Sequence, residues 1–323
     1  MNAAAPLSPH FSSVNLTAPA PGPRLIVLGA VHGNETCGVT AIRRVMAELE
    51  SGARRLCRGS VTFVPVANPL AYARGTRAGE RNLNRNLFPN PTPRDAEDHV
   101  ANWLCPLLAR HDVLLDLHSF EAAGEPFVLV GPRDNAGTLE PFAHQQHERA
   151  LARRLGVRRF VDGWLGAYGD GVRRRLGAHA GERLEAALRH GVGTTEYMRS
   201  TGGYALTLEC GQHRDPAAPE VAYRAIVNTL AFLGLSDEAA PAAVEAARME
   251  ALSMVAVYDK IDAADRFSRP WSSFDPVAAG QEIGRRVDGA PVTAAFDGRI
   301  LFPDSQAGAG SEWYYLARPN PAF

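Results

Sequence analysis

The segment LIVLGAVHGNETCG, Leu25 to Gly38, constrains the fold more than any other stretch of the chain. Its aliphatic half reads as a strand buried on both faces. A glycine-bearing turn then leads at once into the amphipathic helical pattern CGVTAIRRVMAELESG, which Gly52 stops. A short continuous apolar strand followed by such a helix is the unit of a parallel sheet covered by helices. The unit recurs along the chain. SVTFVPVAN, DVLLDLHS, PFVLVG and YALTLECG read as strands; PRDAEDHVANWLCPLLARH, HQQHERALARRLGV and PEVAYRAIVNTLAFLGL read as helices. The expectation is an α/β fold over residues 24–240, with a mostly parallel sheet and helices on both faces.

After Gly234 the pattern changes. SDEAAPAAVEAARME reads as a polar, alanine-rich connector. Residues 251–323 read as short strands punctuated by Gly and Asp-Gly turns, a small C-terminal all-β domain. Residues 1–23, rich in Ala, Pro and Ser, read as a flexible N-terminal lead-in or an edge segment. They lack the basic start and apolar centre of a secretory signal. No apolar run approaches the ~20 residues that a membrane span needs. The expectation is a cytoplasmic chain without a membrane partner, and its cysteines, Cys37, Cys57, Cys105 and Cys210, are expected to be free thiols. A formal net charge of -1 over 323 residues offers no basic field for nucleic acid. The oligomeric state is left open, a homo-oligomer included.

Sites in such sheets lie at the carboxyl ends of the strands. His32 and Glu35 follow the first strand, His118 ends DVLLDLHS, and Glu209 ends YALTLECG. A His and a carboxylate three residues apart can grip one metal ion from one side, and two His with one Glu is the ligand set of a hydrolytic zinc site. Taken alone, HGNE also fits a plain strand-to-helix turn in which Asn34 and Glu35 cap the helix. A carboxylate inside an apolar strand, as at Glu209, is costly unless it is paired or used. Its functional reading is a general base that takes a proton from water and passes it to a leaving amine. The loop GTRAGERNLNRNLFP carries Arg77, Arg81 and Arg85 with Asn84. Arginine forks pair with carboxylates, which implies a substrate carrying them.

GAVHGNE, NLNR, DLHS and TLECG occur in the order seen in the succinylglutamate desuccinylase/aspartoacylase family, of the zinc carboxypeptidase-like superfamily. The resemblance spans roughly residues 24 to 234, and the β-rich tail resembles that family's C-terminal domain. It implies one zinc ion per chain on His32, Glu35 and His118, with Glu209 as the catalytic glutamate. Arg77, eight residues before Arg85, has the spacing of the family's carbonyl-polarising arginine. Asn84 and Arg85 match the pair that holds the substrate α-carboxylate. Arg199, ten residues before Glu209, matches an aspartoacylase arginine that grips a second carboxylate. Tyr314, with Tyr315 as the neighbouring alternative, matches a tyrosine lent to the site by the C-terminal domain. The family pattern Asp-x-Asn-Arg is here Asn82-Leu83-Asn84-Arg85. Asn82 therefore brings no charge to the first zinc histidine.

The implied function is zinc-dependent deacylation of a small anionic N-acyl amino acid. A carboxypeptidase acting on peptides and a non-catalytic carboxylate-binding protein of the same fold are the alternatives.

Overall fold

The computed structural model describes residues 10–177, 181, 183–321 and 323. Residues 1–9 of the N-terminal segment lie outside that set. The strands β1 (Val14–Thr17), β2 (Ala20–Gly29), β3 (Arg58–Val64), β4 (Val113–Phe120), β5 (Phe127–Leu129), β6 (Arg159–Asp162) and β7 (Tyr204–Gln212) belong to one sheet. The helices among them are α1 (Cys37–Glu50), α2 (Pro69–Arg74), α3 (Ala96–Leu108), α4 (Gln145–Ala152), α5 (Trp164–Leu176), α6 (Arg183–Arg189) and α7 (Thr194–Ser200). The helix α8 (Ala218–Phe232) follows β7.

The middle of the sheet runs β3-β2-β4-β7, all parallel. β1 closes one edge antiparallel to β3, so part of the lead-in is an edge strand. β5 pairs antiparallel to β7 and parallel to β6. Side-chain parity divides the two cores. Leu25, Val27, Val113, Leu115, Leu206 and Leu208 pack toward α1 and α8, while Ile26, Leu28, Leu114 and Ala205 pack toward α3 and α7. Asp116 and His118 share the parity of Leu114, and Thr207 and Glu209 that of Ala205. These four polar residues therefore stand on the α3/α7 face, at the carboxyl ends of β4 and β7.

The C-terminal strands are β8 (Glu250–Asp259), β9 (Arg266–Phe267), β10 (Pro276–Val277), β11 (Glu282–Arg285), β12 (Pro291–Thr293), β13 (Gly298–Leu301) and β14 (Glu312–Pro319). β8 pairs parallel to β6 and carries the sheet on through antiparallel β14, β13 and β10 to 11 strands. β12-β11-β9 form a second, antiparallel sheet. Their apolar residues, among them Trp313, Tyr314, Ile283 and Ile300, make a separate cluster. This arrangement brings Glu312 and Tyr315 of β14 to the cavity above the carboxyl ends of β4 and β7.

Candidate metal centre and active-site cavity

The HGNE turn is set by a close approach. A side chain at Gly33 would place its Cβ 2.0 Å from the carbonyl carbon of Ala71 in α2, so only glycine fits. Thr36, not Asn34 or Glu35, occupies the N-cap of α1, and it makes no side-chain cap bond. Glu35 turns inward instead. Its Oε1 lies 2.8 Å from His32 Nδ1 and its Oε2 2.9 Å from His118 Nδ1. Ser119 N–H and Arg77 Nη1 also donate to this carboxylate, each at 3.0 Å. Donor atoms of His32, Glu35 and His118 all lie within 4.8 Å of one another, and all three residues are buried.

The electrostatics suit a cation. Burial works to raise Glu35, yet the two histidines hold its carboxyl well below the usual carboxylate range. Burial, helped by the Arg77 charge, pushes His32 down to about 4, so this imidazole is neutral at pH 7 and free to ligate. Burial opposes a charge on His118 as well, but Asp116 and Glu35 override it and hold this imidazole well above the usual range. The pair of carboxylates thus draws positive charge onto a ring whose proton a metal ion can replace. Two imidazole nitrogens and a carboxylate oxygen in a buried, anionic setting fit a divalent metal.

Each histidine has a partner behind it. His32 Nε2 lies 3.0 Å from Asn82 Oδ1, and His118 Nε2 lies 3.0 Å from Asp116 Oδ2. Such outer partners fix the tautomer and the ring orientation. Asp116 is a residue that the sequence reading missed. Its signal was a lone carboxylate two positions before His118, hence on the same face of β4.

Glu209 is the direct register neighbour of His118 across β4 and β7. It is buried, its Oε2 has no hydrogen-bond partner among the described residues, and burial pushes its carboxyl well above the usual carboxylate range. It opens into a cavity of about 890 Å³ that also receives His32, His118, Arg77, Asn84 and Arg85. The loop bearing the arginines owes its shape to buried Glu97 of α3, which accepts from the backbone N–H groups of Gly79, Glu80 and Arg81. Arg81 turns away to Asp95 and Asp98, each at 2.9 Å. Arg85 donates to Glu312 at 3.1 Å and lies over the ring of Trp164. Arg77 is half-exposed, with one nitrogen on Glu35.

Residues 21–151 match the model of the succinylglutamate desuccinylase/aspartoacylase catalytic domain. The matched stretch carries His32, Glu35 and His118 and ends before Glu209. The succinylglutamate desuccinylase/aspartoacylase of Rhodobacter sphaeroides aligns with a TM-score of 0.72 at 18% identity, over 96% of this chain and 90% of that one. A product-bound ectoine utilization protein from Ruegeria pomeroyi aligns with a TM-score of 0.69 at 19% identity, over 95% and 88%. At these identities the likeness is one of fold. In sequence, the N-alpha-acetyl-L-2,4-diaminobutyric acid deacetylase of Halomonas elongata is 32% identical over 102 residues, 30% of this chain. That alignment spans only 29% of the curated relative.

Two residues that the sequence assigned to this site have other partners than expected. Arg199 lines the cavity, but each of its three nitrogens already donates to a protein acceptor. Nε bonds to Glu148 at 2.8 Å, Nη1 to Glu140 at 2.6 Å and Nη2 to the Ala205 carbonyl at 2.6 Å. Two carboxylates on one buried guanidinium leave no net charge for a second substrate carboxylate. Arg199→Ala strands these acids in the interior and is expected to destabilise the fold by about 3–5 kcal/mol, with no change in the ranking of substrates. Thermal melting and relative kcat/KM values check this; a variant of wild-type stability with altered ranking contradicts it.

Tyr314 is the second correction. It is fully buried in the C-terminal cluster, stacked on Tyr258 with ring centroids 4.7 Å apart, while Tyr315 lines the cavity. A register shift between Glu312 and Tyr314 displaces the alternation of β14, so Glu312 and Tyr315 both reach the cavity.

Proposed function

We propose that this chain is a zinc-dependent amidohydrolase that removes the acyl group from a small N-acyl amino acid, with one zinc ion per chain held by His32, Glu35 and His118. The observation that carries the reading is Glu209. It is a buried carboxylate whose Oε2 has no hydrogen-bond partner among the described residues, raised in pKa, beside a buried His-Glu-His cluster and open to the cavity. A group of this kind is built to take up a proton and give it back. A metal ion held there would supply a Lewis acid and lower the pKa of water.

The chain's own residues do the rest. Glu209 accepts the proton of the attacking water and returns it to the amine that leaves. Arg77, half-exposed at the cavity wall, donates to the oxygen that gains charge in the tetrahedral transition state. Asn84 and Arg85 hold the α-carboxylate and fix the amide at reacting distance. Glu312 keeps the Arg85 guanidinium aimed at the cavity until the substrate carboxylate arrives. The Halomonas relative, whose name describes an N-acetyl amino acid deacetylase, supports an acetyl group on a substrate with a single carboxylate. The engaged state of Arg199 is consistent with that choice.

A panel of acetyl-, succinyl- and formyl-amino acids, scored by release of free amine, tests the reading. Turnover of at least one N-acyl amino acid, and slower turnover of a carboxyl-terminal dipeptide, is the expected result. Release of C-terminal residues from peptides without N-acyl amino acid turnover would assign the chain to the carboxypeptidases instead.

A further inference from the structure

We infer that Thr194, the first residue of α7, is a positioning residue that ties the metal centre to the group binding the substrate carboxylate. The inference rests on the functional reading above and adds to it a residue outside the assigned set.

Thr194 is fully buried and faces both halves of the site. Its hydroxyl donates to Asp116 Oδ2 at 2.5 Å, and the same Oδ2 lies 3.0 Å from His118 Nε2. Its backbone N–H donates to Asn84 Oδ1 at 2.9 Å. The chain of contacts continues on the other side, where Asn84 N–H donates to Asn82 Oδ1 at 2.9 Å and that oxygen meets His32 Nε2 at 3.0 Å. Glu35 closes the ring through its bonds to both histidines. Thr194 is thus the link between the outer partner of one metal histidine and the outer partner of the other.

The two bonds do different work. A backbone N–H can only donate, so the Asn84 amide must turn its oxygen toward Thr194. Its NH2 group is left for the cavity, which Asn84 lines, and that is the end of the amide that a carboxylate accepts from. The approach is tight by construction. A Cβ on Gly193 would lie 2.1 Å from Asn84 Oδ1, so the residue before Thr194 must be glycine for the contact to form. The hydroxyl bond holds one oxygen of Asp116, a buried carboxylate whose Oδ1 has no hydrogen-bond partner among the described residues. Asp116 is therefore oriented mainly by Thr194 and His118. Loss of the hydroxyl frees the carboxylate to rotate and lets the His118 ring follow it.

Thr194→Val keeps the N–H and the shape and deletes only the hydroxyl. Thr194→Ser keeps both donors. Zinc affinity, measured for the full chain by competition with a chromophoric chelator, is expected to fall on the order of tenfold in the valine variant. It should stay within about twofold of wild type in the serine variant, in keeping with a retained donor. With zinc saturating, KM for an N-acetyl amino acid should be nearly unchanged in Thr194→Val, because the N–H that sets Asn84 remains, while kcat falls. Thr194→Ala, which also keeps the N–H, replaces the valine variant if melting shows that the latter is unfolded. Wild-type zinc affinity in the hydroxyl-less variant overturns the inference, and so does a serine variant as weak as the valine one. Failure of the wild-type protein itself to bind zinc or to deacylate overturns the functional reading, and this inference with it.

Discussion

Glu209→Gln is expected to lower kcat by on the order of a hundredfold or more and to leave zinc binding intact. Glutamine matches glutamate in size and polarity but cannot carry the transferred proton. Glu209 is not one of the clustered donors, so the exchange should not disturb the ion. The expected effect on stability is the reverse of the effect on activity. Glu209 Oε2 is buried without a partner, and its carboxyl is held well above the usual range by burial. A neutral amide in its place removes the cost of burying a group that must ionise. The melting temperature should therefore stay level or rise while turnover collapses. Steady-state kinetics, zinc content and a thermal melt on one preparation read all three. Turnover near wild type would mean that another group activates the water.

His118→Ala has the second large effect, on the metal. It removes one of the three clustered donors and leaves two, Glu35 and His32, on one turn. Most of the zinc should be lost, and turnover with it, in a protein that still folds. Asp116 keeps the Thr194 hydroxyl, and Glu35 keeps Ser119 N–H and Arg77, so neither carboxylate is stranded. The wild-type protein should also bind zinc more weakly as the pH falls. Asp116 and Glu35 hold the His118 pKa well above that of a free imidazole, and the proton must leave before the ring can ligate. Affinity then climbs with pH through neutrality and above, until His118 is deprotonated in the metal-free protein. Full zinc retention in His118→Ala would refute the ligand set, and a pH-independent affinity the proton competition.

The parts of this fold that were legible in the sequence are those whose own periodicity is strong. β2, β4 and β7 carry short, mostly apolar runs, and α1, α3, α4 and α8 show a helical apolar stripe. α5 was missed because Gly166, Gly169 and Gly171 interrupt its pattern; Gly171 is packed against Val257 of β8, a tertiary contact that overrides low propensity. α7 spans only seven residues and reads as a loop without its contacts to β7 and β4.

The clustered donors His32, Glu35 and His118, which could hold a metal ion, were legible for the same local reason, since they sit just beyond or at the ends of readable strands. What surrounds them was not. Thr194 meets Asp116 from 78 positions away. Arg199 looked free because its partners, Glu148 and Glu140, lie 51 and 59 positions back along the chain. The choice between Tyr314 and Tyr315 turned on an irregularity of register in β14, which leaves no mark in its composition.

Zinc titration of the metal-free protein, with deacylation of an N-acetyl amino acid as the readout, bears most directly on the account. Activity should rise in proportion to added zinc and level off at one equivalent per chain, and Glu209→Gln should bind the same equivalent without gaining activity. Full turnover by the metal-free protein, or a wild-type chain that takes up its zinc and hydrolyses no N-acyl amino acid, would contradict it.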